Sequence, residues 1–222
     1  MHSVKSILLI TVLIFVSACT SIPRVYSGGE VHGWVVDSKT KEPIEDVVVV
    51  IVWELEGGFI HTDHTANIHI AETLTDNKGH YSFERWGPKI TVDGRRSSST
   101  PRLVFYKFGY DSEYRLNSIS GNLNPDNSVS EYTGKKIELV KHVVLDKKYE
   151  SKIRSINSIL QLSNYRSEFD CTWTKIPRFT AEMIKLNDYF KTNGISNNFP
   201  SIRQIDKNSC GDRDALLMEY LK

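Results

Sequence analysis

Between residues 31 and 144 the chain alternates short runs of β-branched and aromatic residues with turn residues, a pattern that predicts an antiparallel β-sandwich and not βαβ units. Strands are predicted at 31–37, 44–53, 69–75, 80–84, 103–108 and 136–144. Residues 47–52 are an unbroken β-branched run, as expected of a central strand covered on both faces. Asp76-Asn77-Lys78-Gly79 is predicted to close a tight hairpin, with Gly79 supplying the positive φ. Tyr81 and Phe83 then share a face by the period of two, as do Ile137, Leu139 and Val143. After Leu145 the apolar spacing changes to three and four. Ile153, Ile156, Ile159 and Leu160 form one helical stripe, and Met183, Leu186 and Phe190 a second within 180–191, with Gly194 as its stop. A last short helix is predicted at 212–221, with Leu217 and Leu221 in register. Three short amphipathic helices cannot bury their stripes alone, so they must pack on each other or on the sandwich.

The fold class expected is therefore mainly β with an α appendage: a sandwich over 31–145 followed by a helical region over 146–222. A length of 222 residues, 40% of them hydrophobic and 25% charged, suits one or two small domains and argues against disorder or coiled coil. With 28 basic and 27 acidic side chains the surface has no net field to draw nucleic acid. Three cysteines are too few for a disulfide-built scaffold.

Residues 1–18 have the form of an export signal: a polar start with Lys5, an apolar run over 7–16, then small residues. That run is too short to span a bilayer core of about 30 Å. Val16-Ser17-Ala18-Cys19 resembles the bacterial lipobox, which implies acylation of the Cys19 thiol and cleavage before it. The mature chain would begin at Cys19 and keep 204 of the 222 residues. The lipobox implies three acyl chains in Gram-negative bacteria, and two or more hold a protein firmly to a membrane. Thr20 after the cysteine implies an outer-membrane address. Residues 19–30 show no period and are expected to be a tether. In an oxidising envelope thiols pair, and with Cys19 acylated Cys171 and Cys210 remain, so a disulfide between them is expected.

The run from Gly33 to Asp37, then Pro43-Ile44 and the valine strand, then residues 75–83, resembles the carboxypeptidase regulatory-like domain. Lys107-Phe108-Gly109-Tyr110 is similar to the Gly-Tyr that ends a later strand of that family. The resemblance covers residues 31–145 and implies a transthyretin-like, prealbumin-type sandwich. It implies association with protein or carbohydrate and no peptidase chemistry, since no catalytic zinc domain fits in the chain. Two segments, 54–68 and 111–135, lengthen the loops.

Candidate chemistry is sparse. His61, Asp63, His64 and His69 carry zinc-type ligand groups, but their spacing matches no HExxH and no cysteine sits nearby. They mark a metal-binding or metal-dependent hydrolase alternative. There is no GxSxG, no Ser-x-x-Lys in context and no phosphate-cradling glycine loop. The basic stretch 89–102 reads as a solvated loop, with an anion or lipid headgroup as the alternative. Trp34, Trp53, Trp86 and Trp173 are either core or a stacking platform for sugars. The expectation is a non-catalytic lipoprotein with no cofactor, tethered to a membrane, with an envelope protein or a glycan as partner.

Overall fold

The computed structural model describes residues 23–56, 66–91, 96–97, 101–116, 119–120, 129–142, 147–159, 171–195 and 211–221. The strands are β1 Arg24–Gly28, β2 Val31–Asp37, β3 Val48–Glu56, β4 Ala66–Leu74, β5 His80–Phe83, β6 Trp86–Thr91, β7 Arg96–Ser97, β8 Arg102–Tyr106, β9 Glu113–Leu116, β10 Ile119–Ser120, β11 Val129–Ser130 and β12 Lys135–Leu139. The helices are α1 Lys147–Ile159, α2 Thr172–Lys175, α3 Pro177–Thr192 and α4 Arg213–Leu217.

A larger sheet in the order β4-β3-β8-β9, with β7 also paired to β3, faces a three-stranded sheet in the order β12-β2-β5. Among the described ladders that between β12 and β2 is parallel and the others are antiparallel, so the sandwich is antiparallel with this one departure. Strands β1 and β6 form a separate two-stranded ribbon. The chain between Cys19 and Glu30, expected to be a tether, is therefore a strand over Arg24–Gly28. Its order comes from residues 86–91, which lie across from it in the fold and are remote in sequence.

The valine strand explains the layering. Val49, Ile51 and Trp53 point into the space between the sheets, where they meet Tyr81, Phe83, Leu103, Phe105, Ile137 and Leu139. Val48, Val50 and Val52 point the other way, onto Ile153 of α1 and Phe179, Met183, Leu186 and Phe190 of α3. Alternation of two apolar sets along one strand forces two cores, and the second needs a cover. Full burial of one such valine contributes about 1.5–3 kcal/mol. The predicted helical region is that cover, so the chain stacks as helices, large sheet and small sheet.

Several boundaries differ from the sequence expectation. The helix expected at 212–221 is Arg213–Leu217, with Leu217 buried and Leu221 partly exposed. A further single turn, α2, precedes α3. Gly194 has φ +65° and its N–H donates to the Lys191 carbonyl, as the stop signal required. The Asp76–Gly79 turn forms as predicted, with Asp76 Oδ1 accepting from the amides of Lys78 and His80 at 2.8 Å each. It does not join partners in one sheet: β4 pairs with β3, and β5 pairs with β2, so the turn carries the chain across the sandwich. The cause is Thr75, whose buried hydroxyl donates to Ile44 O at 2.7 Å and accepts from Val47 N at 2.8 Å. That bridge leads the chain off the edge of the large sheet.

Candidate functional site

A half-open cleft of about 380 Å³ lies between the end of the large sheet and the helical cap. Its floor includes Val48, Leu74 and Tyr106, and its walls carry three acidic groups, Asp46, Glu182 and Glu219, and three basic ones, Lys107, Arg178 and Lys185. The strand ends of the sheet and the turns beside them supply Asp46, Lys107 and the floor, α3 supplies Arg178, Glu182 and Lys185, and the turn after α4 supplies Glu219 and Tyr220.

Glu72 sets the angle of the α3 wall. Its carboxylate, on β4, accepts from the backbone amides of Arg178 and Phe179 at 2.8 and 2.9 Å, satisfying two donors of the first helical turn. Burial pushes its carboxyl above the ordinary range, and those two amides pull the other way. The Arg178 guanidinium stacks 5.0 Å from the ring centre of Tyr220, holding the C-terminal turn to the cap. Glu182 and Lys185 pair at 3.2 Å, and Lys107 Nζ donates to Glu45 O at 2.7 Å. At the base, Tyr106 packs edge-on to Phe179 with ring centres 5.9 Å apart. Burial raises its hydroxyl well above the phenol range, and pushes that of Tyr149 up to about 12. Both stay neutral, so the ionic character of the cleft resides in its walls. The cleft thus sets walls of both signs around an apolar floor.

A polar junction beside the cleft locks α1 to the sandwich. Asp111, in the turn after β8, bonds Lys152 of α1 and lies 2.8 Å from His142 Nδ1. The His142 ring lies 5.1 Å from that of Tyr149.

Other residues singled out by sequence distribute as follows. Cys19, His61, Asp63, His64 and Cys210 lie outside the described residues. His69 is described: its ring stacks on Trp86 at 4.6 Å and tilts against Trp53 at 5.3 Å. Burial, with the charges of Lys89 and Lys175 behind it, pushes its imidazole down to about 4. It sits in an aromatic packing site, and among the described residues no group of three or more His, Cys, Asp or Glu side chains converges as a metal site. Cys171 precedes α2, and its carbonyl accepts from Thr174 Oγ1 at 2.7 Å. In the basic stretch, Lys89 lies 5.4 Å from the Trp86 ring centre and donates to Ile68 O, and Arg102 pairs with the buried carboxylate of Glu54 at 2.7 Å. Neither of these two is a loose cation on a solvated loop. Trp53, Trp86 and Trp173 are core, while Trp34 is half-buried on the outer face of the small sheet, in a triangle with His32 and His80 whose ring centres lie 6.4 and 5.4 Å away. Sequence reasoning missed the whole cleft, because its walls are brought together by the docking of α3 on a sheet about a hundred residues earlier. No local signal marks that meeting.

No protein-family model matches the chain, and no curated protein matches it either. Solved structures similar to it include 3-chlorocatechol 1,2-dioxygenase from Rhodococcus opacus 1CP, at 15% identity and a TM-score of 0.33, matching 51% of this chain and 61% of that one. The group B streptococcus pilus 2b backbone protein is 17% identical with a TM-score of 0.31, over 52% of this chain and 42% of that one. The C-terminal domain of a shaft pilin from Lactobacillus rhamnosus GG is 12% identical with a TM-score of 0.28, over 52% and 98%. The chain thus spans under two thirds of the length of the first two. Likenesses this distant carry no argument about activity, and the sandwich stands on its own ladders.

Proposed function

We propose that this chain is a non-catalytic, lipid-tethered binding or scaffolding module of the bacterial envelope, acylated at Cys19 and held at the outer membrane facing the periplasm. The observation that carries the binding role is the cleft between cap and sandwich, with its apolar floor and walls of both signs. It fits a polypeptide segment of an envelope protein. A disulfide between Cys171 and Cys210 belongs to the same reading: it would tie the chain just before α2 to the chain just before α4. What supports the finer reading of the sandwich as transthyretin-like and carboxypeptidase regulatory-like is the strand Val31–Asp37 and the positive φ of Gly79. Mild crosslinking of intact cells tests the module. A partner captured by the natural chain should fall several-fold in yield with Arg178→Glu and Lys185→Glu together, at unchanged membrane attachment. Equal yields from both chains would remove the cleft from the reading.

A second reading, glycan binding, is favoured by the Trp34 ring clustered with two imidazoles on the small sheet's outer face, which no described helix covers. It predicts a change in tryptophan fluorescence on adding peptidoglycan fragments that is lost in Trp34→Ala.

A further inference from the structure

The β1–β6 ribbon has one side fixed to the protein and one side bare. On the inner side Tyr26 and Trp86 pack against the core between the sheets, and a Cβ on Gly28 would lie only 2.1 Å from Trp86 Nε1, so that contact leaves no freedom for a side chain. On the outer side Val25 and Ile90 oppose each other across the ladder, 56% and 68% exposed. An exposed strand pair is ordinarily blunted with charge; here a branched aliphatic faces a branched aliphatic.

The position of the pair says what covers it. Val25 is six α-carbon steps from Cys19, and a chain spans at most about 3.6 Å per step, so Val25 lies within about 22 Å of the Cys19 α-carbon. Acyl chains on Cys19 would therefore keep Val25 within about 22 Å of the anchored end, close enough for the ribbon to reach the membrane surface. We propose that Val25 and Ile90 are a lipid contact: the outer face of the ribbon rests on the membrane that anchors Cys19, with both side chains at the boundary of headgroups and acyl chains. This rests on the anchor reading above. Two aliphatic side chains are too few to bring a free protein to a bilayer, but the anchor makes the contact intramolecular and raises the effective concentration of surface beside it. Val25 and Ile90 carry no charge, and without its first 18 residues the chain has 27 basic and 27 acidic side chains and so no net field toward anionic lipid; the contact proposed is apolar.

The test uses the mature lipidated chain, residues 19–222, in phosphatidylcholine vesicles, with and without doxyl-labelled lipid. Two variants each add a tryptophan, Ile90→Trp in the ribbon and Met218→Trp at a 65% exposed position after α4. The emission added at position 90 should fall by about half with doxyl lipid, as for a residue within about 5–10 Å of the acyl boundary, and that added at position 218 should not. Adding Val25→Asp to the Ile90→Trp chain should abolish the quenching. Protein that floats with vesicles while position 90 stays unquenched overturns the contact alone. A concentration-dependent blue shift without doxyl quenching, the sign of another protein chain on the ribbon, overturns it as well. Protein that does not float overturns the anchor and the contact together.

Discussion

At the scale of single residues, two positions show how burial becomes chemistry. His69 is kept neutral by burial against Trp53 and Trp86, with the charges of Lys89 and Lys175 behind it, its imidazole pushed down to about 4. In the unfolded chain the same group titrates near 6.5, so between those values the unfolded state holds a proton that the folded state refuses. Stability is then full above about pH 6.5 and is lost as pH falls toward 4. Urea midpoints across that window should decline in the natural chain and decline less in His69→Phe, which keeps the stack and removes the titration. Equal slopes in both would mean that His69 protonates freely. Gly79 is the second case. With φ +70° and a hypothetical Cβ 2.3 Å from the Val35 carbonyl oxygen, it is closed to any side chain. That oxygen also accepts from Ile44 N at 3.0 Å, so a shift to relieve the clash breaks the junction between the sheets. Gly79→Ala should lower stability by about 3 kcal/mol in urea titration, and Gly109→Ala, whose surroundings are open, by distinctly less.

Among the elements, those whose order is local were legible and those whose order is borrowed were not. Strand β2 begins and ends where its alternation of apolar and polar residues says, because each inward residue meets the core between the sheets. Strand β1 has only Val25 and Tyr26 as apolar signal, and its pairing with β6 spans about sixty residues. Strand β9, Glu113–Leu116, looked like polar loop because it adds to the edge of the large sheet and buries little. The 76–79 turn is legible in its own bonds and not in its destination, since the hydrogen bonds of Thr75 to residues 44 and 47 lie outside any local window. Helix α3 shows the same division. Its stripe of Met183, Leu186 and Phe190 was visible, while its N-terminus is satisfied by Glu72 from 106 residues away. Glu72→Ala leaves those two amides without their acceptor and should cost about 1–2 kcal/mol. Hydrogen exchange should speed up first in the opening turn of α3, and Glu72→Gln, which keeps one acceptor, should recover part of the loss. Uniform acceleration over the whole sandwich would assign the carboxylate to global packing and not to the helix end.

For the whole molecule, the decisive fact is that β3 is apolar on both faces, so the sandwich has no version of itself that is stable with one face bare. A chain ending at residue 145 would expose Val48, Val50, Val52, Ile70, Val104 and Tyr106 together, all now under the helices. A continuous sheet of such residues is larger than the apolar patches that monomeric proteins leave in water, and the β-branched content makes it prone to stack on its own kind. The shortened chain should scatter light and bind a hydrophobic dye at micromolar concentration, whereas the chain from residue 19 to 222 should stay clear and melt in one transition by both near- and far-ultraviolet circular dichroism. If residues 19–145 were monomeric with native near-ultraviolet bands, the helices would be an accessory docked on a finished domain, and the cleft they frame could open without unfolding anything. If the prediction holds, cap and sandwich form one cooperative unit, the geometry of the cleft is as rigid as the core beneath it, and a ligand entering there meets walls already in place.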